Sequence, residues 1–166
     1  VEAGMRTHLL GTDENGTIRA NALKIVEDLG YIFEREENIV LVSVSKAGPE
    51  MALALTLLNG SEHAHKLKAW MNIGGALRGT PLAEFALSWP MRWFVKYFAI
   101  GGASMDGVRS LTTEALAQQA DDFSPPDHLV IANLIGIPMS GDVTSLAKYG
   151  YRYLRSLGPN DGATLI

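Results

Sequence analysis

Ser45 stands where an apolar run of strand length meets an apolar run of helix length. Ahead of it lie Ile39-Val40-Leu41-Val42-Ser43-Val44; behind it, Lys46-Ala47-Gly48-Pro49-Glu50 lead into Met51-Ala52-Leu53-Ala54-Leu55-Thr56-Leu57-Leu58. A strand that turns sharply into a helix holds the hydroxyl at its apex clear of its own backbone. There a base can reach it, and the amino end of the helix lies beside it. Such a turn admits only small residues two before and two after the apex, because strand and helix converge there. Ser43 and Ala47 meet that demand, with Gly48 next. The same residues also carry a plain reading, in which Ser43 and Ser45 end a buried strand and cap the helix, with Pro49 in its first turn. Ser104 is a weaker nucleophile candidate: Asp106 stands two after it and no apolar helix follows directly.

Other reactive groups are few. Cysteine is absent, which removes disulfides, thiolate nucleophiles and cysteine-ligated zinc together. The four histidines are His8, His63, His65 and His128. His63-Ala64-His65 has a spacing that two metal-bound imidazoles can share on an extended segment, but without a further histidine or carboxylate cluster the pair reads as surface loop, and no metal or cofactor is expected. With 18 acidic against 14 basic residues and a net charge of -4, the chain has no basic stripe for a phosphate backbone, so nucleic acid is not an expected partner. No apolar run reaches the roughly 18 residues of a membrane-spanning helix. The first residues, Val1-Glu2-Ala3-Gly4-Met5-Arg6, do not form a signal peptide, and the missing initiator methionine leaves the natural start open.

The elements that must position Ser45 follow from periodicity. Ile18, Ala22, Ile25, Val26 and Leu29 recur at helical spacing, with Thr17 placed to cap and Gly30 to terminate. Glu34-Arg35-Glu36-Glu37 reads as a solvated connection. The run from Ile39 to Val44 is continuously apolar until Ser43, the pattern of a central strand covered on both faces. The following helix stops at Asn59-Gly60. Leu67 to Ile73 reads as the next strand, Leu111 to Ala120 as a helix, Leu129 to Ile135 as a third strand and Val143 to Leu157 as a final helix. Strand, helix and strand joined by short connections imply crossover units and hence a mainly parallel α/β sheet with flanking helices, in a single domain over 1–166.

Residues 80–127 read as a helical insertion between two strands of that sheet. Pro81 to Phe98 is dense in large apolar and aromatic residues, including Trp89, Trp93 and Phe94, and Pro90 bends or breaks whatever helix it forms. Packed inward, these residues are core. Set over Ser45, they would be a lid that contacts an acyl chain or another apolar group.

Three segments in order carry a resemblance. Val42-Ser43-Val44-Ser45-Lys46-Ala47-Gly48 resembles the nucleophile elbow of the α/β-hydrolase superfamily, with Ser43 and Ala47 in the places of its two glycines. The stretch from Trp70 through Gly74-Gly75 to Glu84 is similar to the segment that follows the next strand in lipase-like and esterase-like members. Gly158-Pro159-Asn160-Asp161-Gly162 is similar to their acid loop. The resemblance covers roughly 7–166 and implies a partial α/β-hydrolase fold. It further implies Ser45 as nucleophile, the Lys46 backbone N–H as oxyanion donor with its ammonium in solvent, and Asp161 as the acid that orients a histidine. Asp142, closer to the third strand, is the alternative acid, and both aspartates also fit ordinary roles, as a helix cap and in a turn. The expected substrate is a carboxylic ester. Amide or thioester cleavage, or a non-catalytic role in interaction, is the rival reading. The superfamily order is serine, acid, histidine. Only five residues follow Asp161 and none is histidine, so the resemblance places the base outside this sequence, which it makes an internal portion of a larger hydrolase.

Overall fold

The computed structural model describes residues 4–88, 104–138, 143 and 147–166. The first helix, α1 (Ile18–Phe33), begins where expected: Thr17 Oγ1 accepts the Ala20 N–H at 3.2 Å. It buries Ile18, Ala22, Ile25, Leu29 and Phe33 along one face. It does not end at Gly30. A glycine inside a helix costs about 1 kcal/mol, whereas burying a phenylalanine contributes about 1.5–3 kcal/mol, and Phe33, one turn beyond Leu29, is only 3% exposed. The extra turn is therefore favourable.

Strand β1 (Ile39–Val44), helix α2 (Ala47–Leu58) and strand β2 (Leu67–Ile73) follow, and β3 (Val130–Leu134) completes a parallel sheet in the order β1-β2-β3. The α/β class and parallel sheet anticipated above are thus present. The registers align Val44 with Ile73 and Ile73 with Leu134, so the three strands end level. Both α1 and α2 pack on the face that carries Leu41 and Trp70, and Ala22, Ala54, Leu55 and Leu67 are fully enclosed there.

The other face departs from expectation. Val40, Val42 and Val44 are 57–58% exposed, and Met71, Ile73, Val130 and Leu134 lie open on the same side. The continuous apolar run of β1 is therefore covered on one face only, because the helices on either side of it in sequence both lie against its Leu41 side. The acidic connection also differs: Glu36 pairs with Arg6 at 2.6 Å and with His8 at 3.1 Å, and its side chain is largely enclosed.

Between the adjacent strands β2 and β3 come α3 (Pro81–Leu87), α4 (Met105–Arg109) and α5 (Thr113–Asp121). The helix expected from Leu111 begins at Thr113 because the Thr112 hydroxyl caps it, accepting from Ala115 N. Gln119 donates to the Pro49 carbonyl, Asn59 bonds the Ser124 hydroxyl and Phe123 meets Trp70 edge-on at 6.0 Å. This part of the connection between β2 and β3 therefore runs along α2. Trp89, Trp93, Phe94 and the alternative acid Asp142 lie outside the described residues. The last helix, expected over Val143 to Leu157, is described as α6 (Lys148–Leu154); its Tyr153 ring packs on Phe85 of α3 at 4.7 Å. Among the described residues no helix is long and apolar enough to cross a membrane.

Candidate active site at the carboxyl ends of the strands

Ser45 is the only non-glycine among the described residues with a positive φ, at 54°. The left-handed region costs an L-residue about 1–2 kcal/mol, so the conformation persists because its surroundings impose it. The Ser45 N–H donates to the Ile73 carbonyl at 3.1 Å, which ties the turn to β2, and the Gly48 N–H returns to the Ser45 carbonyl at 3.0 Å. The side chain itself is exposed. The plain capping reading does not describe these residues. The helix N-cap is Lys46, with no side-chain cap bond, and the Ser43 hydroxyl points into the core. Ser104, by contrast, is an ordinary cap: its Oγ accepts from Gly107 N at 3.3 Å in relaxed backbone geometry.

Lys46 has helical backbone angles, φ −54° and ψ −33°. Its N–H thus joins the first-turn set for which a helix provides no carbonyl. Its ammonium is not in solvent as the sequence suggested. It reaches Glu50 Oε1 at 2.7 Å and the Asp13 carbonyl at 3.2 Å. Glu50, one turn ahead and buried, draws it inward.

Asp161 arrives at the same end of the sheet from the chain's last segment. Because the strands end level, Ser45 and Gly74 emerge side by side, about one strand spacing of 4.8 Å apart. Gly74 has φ +55°, and a Cβ placed on it would sit 3.8 Å from Asp161 Oδ2. Asp161 Oδ1 is committed to its own turn, accepting from Ala163 N at 2.8 Å and Thr164 N at 2.7 Å. Oδ2 has one long bond, 3.3 Å from Thr164 Oγ1. The turn is pinned from outside as well. Thr80 Oγ1 donates to the Ala163 carbonyl at 2.6 Å, buried Asn160 accepts from Gly162 N, and α6 presents Gly150 where a Cβ would come within 2.2 Å of the Gly162 carbonyl oxygen. Beside Asp161 is a cleft of about 190 Å³ lined by Asn72, Asn133, Leu77, Leu134 and Leu165 among others; Ser45 lies one strand over and does not line it.

Sequence reasoning missed a chain of polar side chains beneath this rim. Trp70 Nε1 donates to Ser43 Oγ at 2.9 Å, Ser43 Oγ to Asn72 Oδ1 at 3.1 Å, and Asn72 Nδ2 to Asn133 Oδ1 at 3.0 Å. The signal was a polar residue one position before the end of each strand. Ser43, Asn72 and Asn133 are register partners, which no single strand reveals.

The four histidines all lie at the opposite pole. His8 bonds Glu36, just ahead of β1; His65 Nδ1 is 2.8 Å from the Glu62 carbonyl; the His63 ring packs on Phe33; and His128 Nε2 lies 3.1 Å from the Ala64 and Leu67 carbonyls. The seven residues of β2 put roughly 20 Å between that end and the Ser45 turn. Among the described residues no three His, Asp or Glu side chains form a group that could hold a metal ion.

No family model and no curated protein matches the chain by sequence. Solved structures do. The mature form of Bacillus licheniformis lipase BlEst2 superposes with a TM-score of 0.72 at 25% identity over 91% of this chain and 60% of its own. The metagenomic carboxyl esterase MGS0156 superposes with a TM-score of 0.77 at 20% identity over 95% of this chain and 48% of its own. The propeptide form of the same lipase gives 0.71 at 23% identity, over 91% of this chain and 33% of its own. The chain thus spans between a third and three fifths of the proteins it superposes on. Its parallel sheet, strand-to-helix turn at Ser45 and flanking helices are part of an α/β-hydrolase fold of the kind seen in bacterial lipase and esterase structures.

Proposed function

We propose that this chain is the nucleophile-bearing portion of a serine hydrolase that cleaves a carboxylic ester through an acyl-enzyme on Ser45. The observation that supports this reading most directly is the left-handed backbone of Ser45 between a parallel strand and a helix amino end. That conformation costs stability and leaves the hydroxyl on the surface. The likeness to lipase and esterase structures makes an ester the substrate class of choice.

In this reading Ser45 Oγ attacks the ester carbonyl carbon and gives its proton to an imidazole other than the four of this chain. The Lys46 N–H stabilises the oxyanion that forms on the carbonyl oxygen. The alcohol leaves with the proton from the imidazolium, and water, deprotonated by the same imidazole, then attacks the acyl-enzyme and frees the acid and Ser45. Asp161, through Oδ2, holds that imidazole in the productive tautomer. Trp89, Trp93 and Phe94 of the 80–127 insertion contact the acyl chain as a lid. No metal or cofactor takes part in these steps.

The test is a fluorophosphonate probe on the longest natural form of the protein, followed by peptide mapping. A covalent adduct on Ser45, lost in Ser45→Ala, is the expected result. Absence of any adduct on Ser45 overturns the reading.

A further inference from the structure

We propose that Asn72 is a positioning residue that fixes the placement of the turn bearing Ser45 relative to the turn formed by Gly74 and Gly75, against which Asp161 lies; the catalytic half of this inference rests on the ester-hydrolase reading above.

The Asn72 carboxamide is hydrogen-bonded at both ends. Trp70 Nε1, which can only donate, takes one acceptor site of the Ser43 hydroxyl, and the hydroxyl in turn donates to Asn72 Oδ1. At its other end Nδ2 donates to Asn133 Oδ1 on β3. Asn72 is only 3% exposed, which leaves its amide little room to exchange these partners for solvent.

The amide packs against two backbones that also meet each other. A Cβ added at Gly75 would lie 2.1 Å from Asn72 Oδ1 and 2.6 Å from Nδ2. One added at Gly48, in the first turn of α2, would lie 2.7 Å from Asn72 Oδ1 and 2.8 Å from the Gly75 Cα. Neither glycine has a positive φ, so what each supplies is room. Gly48 belongs to the turn that holds Ser45, through its N–H to the Ser45 carbonyl. Gly75 follows Gly74, the residue Asp161 Oδ2 approaches. The amide is therefore a spacer of fixed width beneath both the serine turn and the turn that faces the acid, and it holds the two in their mutual contact. A displacement of about 1 Å between reacting groups is enough to cost on the order of a hundredfold in rate.

The experiment is a cycle of wild type, Gly75→Ala, Asn72→Ala and the double variant in the longest natural form, read by the rate of fluorophosphonate labelling at Ser45 and by the unfolding midpoint. Gly75→Ala should slow labelling about 10- to 100-fold. Asn72→Ala should lower kcat on a short p-nitrophenyl ester and leave KM unchanged. The double variant should label within about threefold of Asn72→Ala, because the new methyl then enters the room the carboxamide left. Gly75→Ala labelling at the wild-type rate, or a double variant no better than Gly75→Ala, overturns the inference, as does an Asn72→Ala that alters KM alone. If Gly75→Ala fails to fold, a folded double variant supports the spacer and an unfolded one, with Asn72→Ala folded, overturns it. Should wild type itself not label, the Ser45 reading fails and the midpoints decide the spacer. A Gly75→Ala penalty that vanishes in the Asn72→Ala background supports it; an unchanged penalty overturns it.

Discussion

Lys46 Nζ lies 2.7 Å from Oε1 of Glu50, and the same carboxylate oxygen accepts from Asn21 Nδ2 at 2.7 Å. Asn21 in turn grips Asp13 through both its amide groups, and the Asp13 carbonyl takes a second bond from Lys46. The residue offered as oxyanion donor is thus anchored through its side chain to the loop ahead of α1. Removing one partner of a buried ion pair costs about 3–5 kcal/mol, whereas replacing both with apolar groups is often near neutral. Lys46→Met should therefore lower the unfolding free energy by an amount of that order, and Lys46→Met with Glu50→Leu should recover part of it, less the cost of about 1–3 kcal/mol for the buried Asn21 N–H that loses the carboxylate. Urea titrations of the two variants check this; equal losses would contradict a coupled pair.

At position 45 stability and chemistry pull apart. Glycine takes a φ of 54° without the steric cost that serine bears. Ser45→Gly should raise the unfolding free energy by about 1 kcal/mol, or roughly 2–4 °C in Tm for a chain of this size, while removing all labelling. A calorimetric scan beside a probe assay measures both, and a lower Tm would mean that the turn is not strained.

Two glycines that look alike in sequence should respond in opposite directions. Gly30, inside α1, has nothing within 4 Å of where a Cβ would stand, so Gly30→Ala should stabilise by about 0.5–1 kcal/mol. Gly150, inside α6, has the Gly162 carbonyl oxygen 2.2 Å from that point, and Gly150→Ala should destabilise by about 1–3 kcal/mol and slow labelling at Ser45 by shifting the Asp161 turn. Thermal midpoints of the pair make the comparison directly.

The face that carries Val40, Val42, Val44 and Met71 presents contiguous apolar surface to solvent, which is unusual for a parallel sheet. The 166-residue chain produced alone should bind an anionic naphthalene dye and associate as its concentration rises. Val42→Thr with Met71→Gln should reduce both effects without loss of secondary structure. Dye fluorescence and analytical ultracentrifugation test this, and an undiminished signal in the double variant would place the sticky surface elsewhere.

Much of the frame was legible because its signals are local. Thr17 caps α1, the apolar runs at 39–44 and 67–73 are strands, and small residues flank Ser45. What escaped depends on partners distant in sequence. The outward face of β1 depends on which side its helices take. Gly30 fails as a terminator because Phe33 finds a place in the core. Lys46 turns inward because Glu50, a residue type usually exposed, is buried beside Asn21. Asn72 gains its meaning only once β1, β2 and β3 are in register with Ser43 and Asn133. The placement of Asp161 beside Gly74 rests on a turn folded back more than eighty residues later.

The level strand ends also determine where this chain can tolerate a change in length. Side chains alternate along a strand, so one residue inserted within β2 would exchange its faces, turning Asn72 outward and Met71 inward and setting Gly74 out of step with Ser45. The same insertion at Asn59-Gly60, in the surface turn between α2 and β2, would add only a loop residue. A library of single-codon insertions and deletions across 39–75 should therefore show two intolerant strands on either side of one permissive turn.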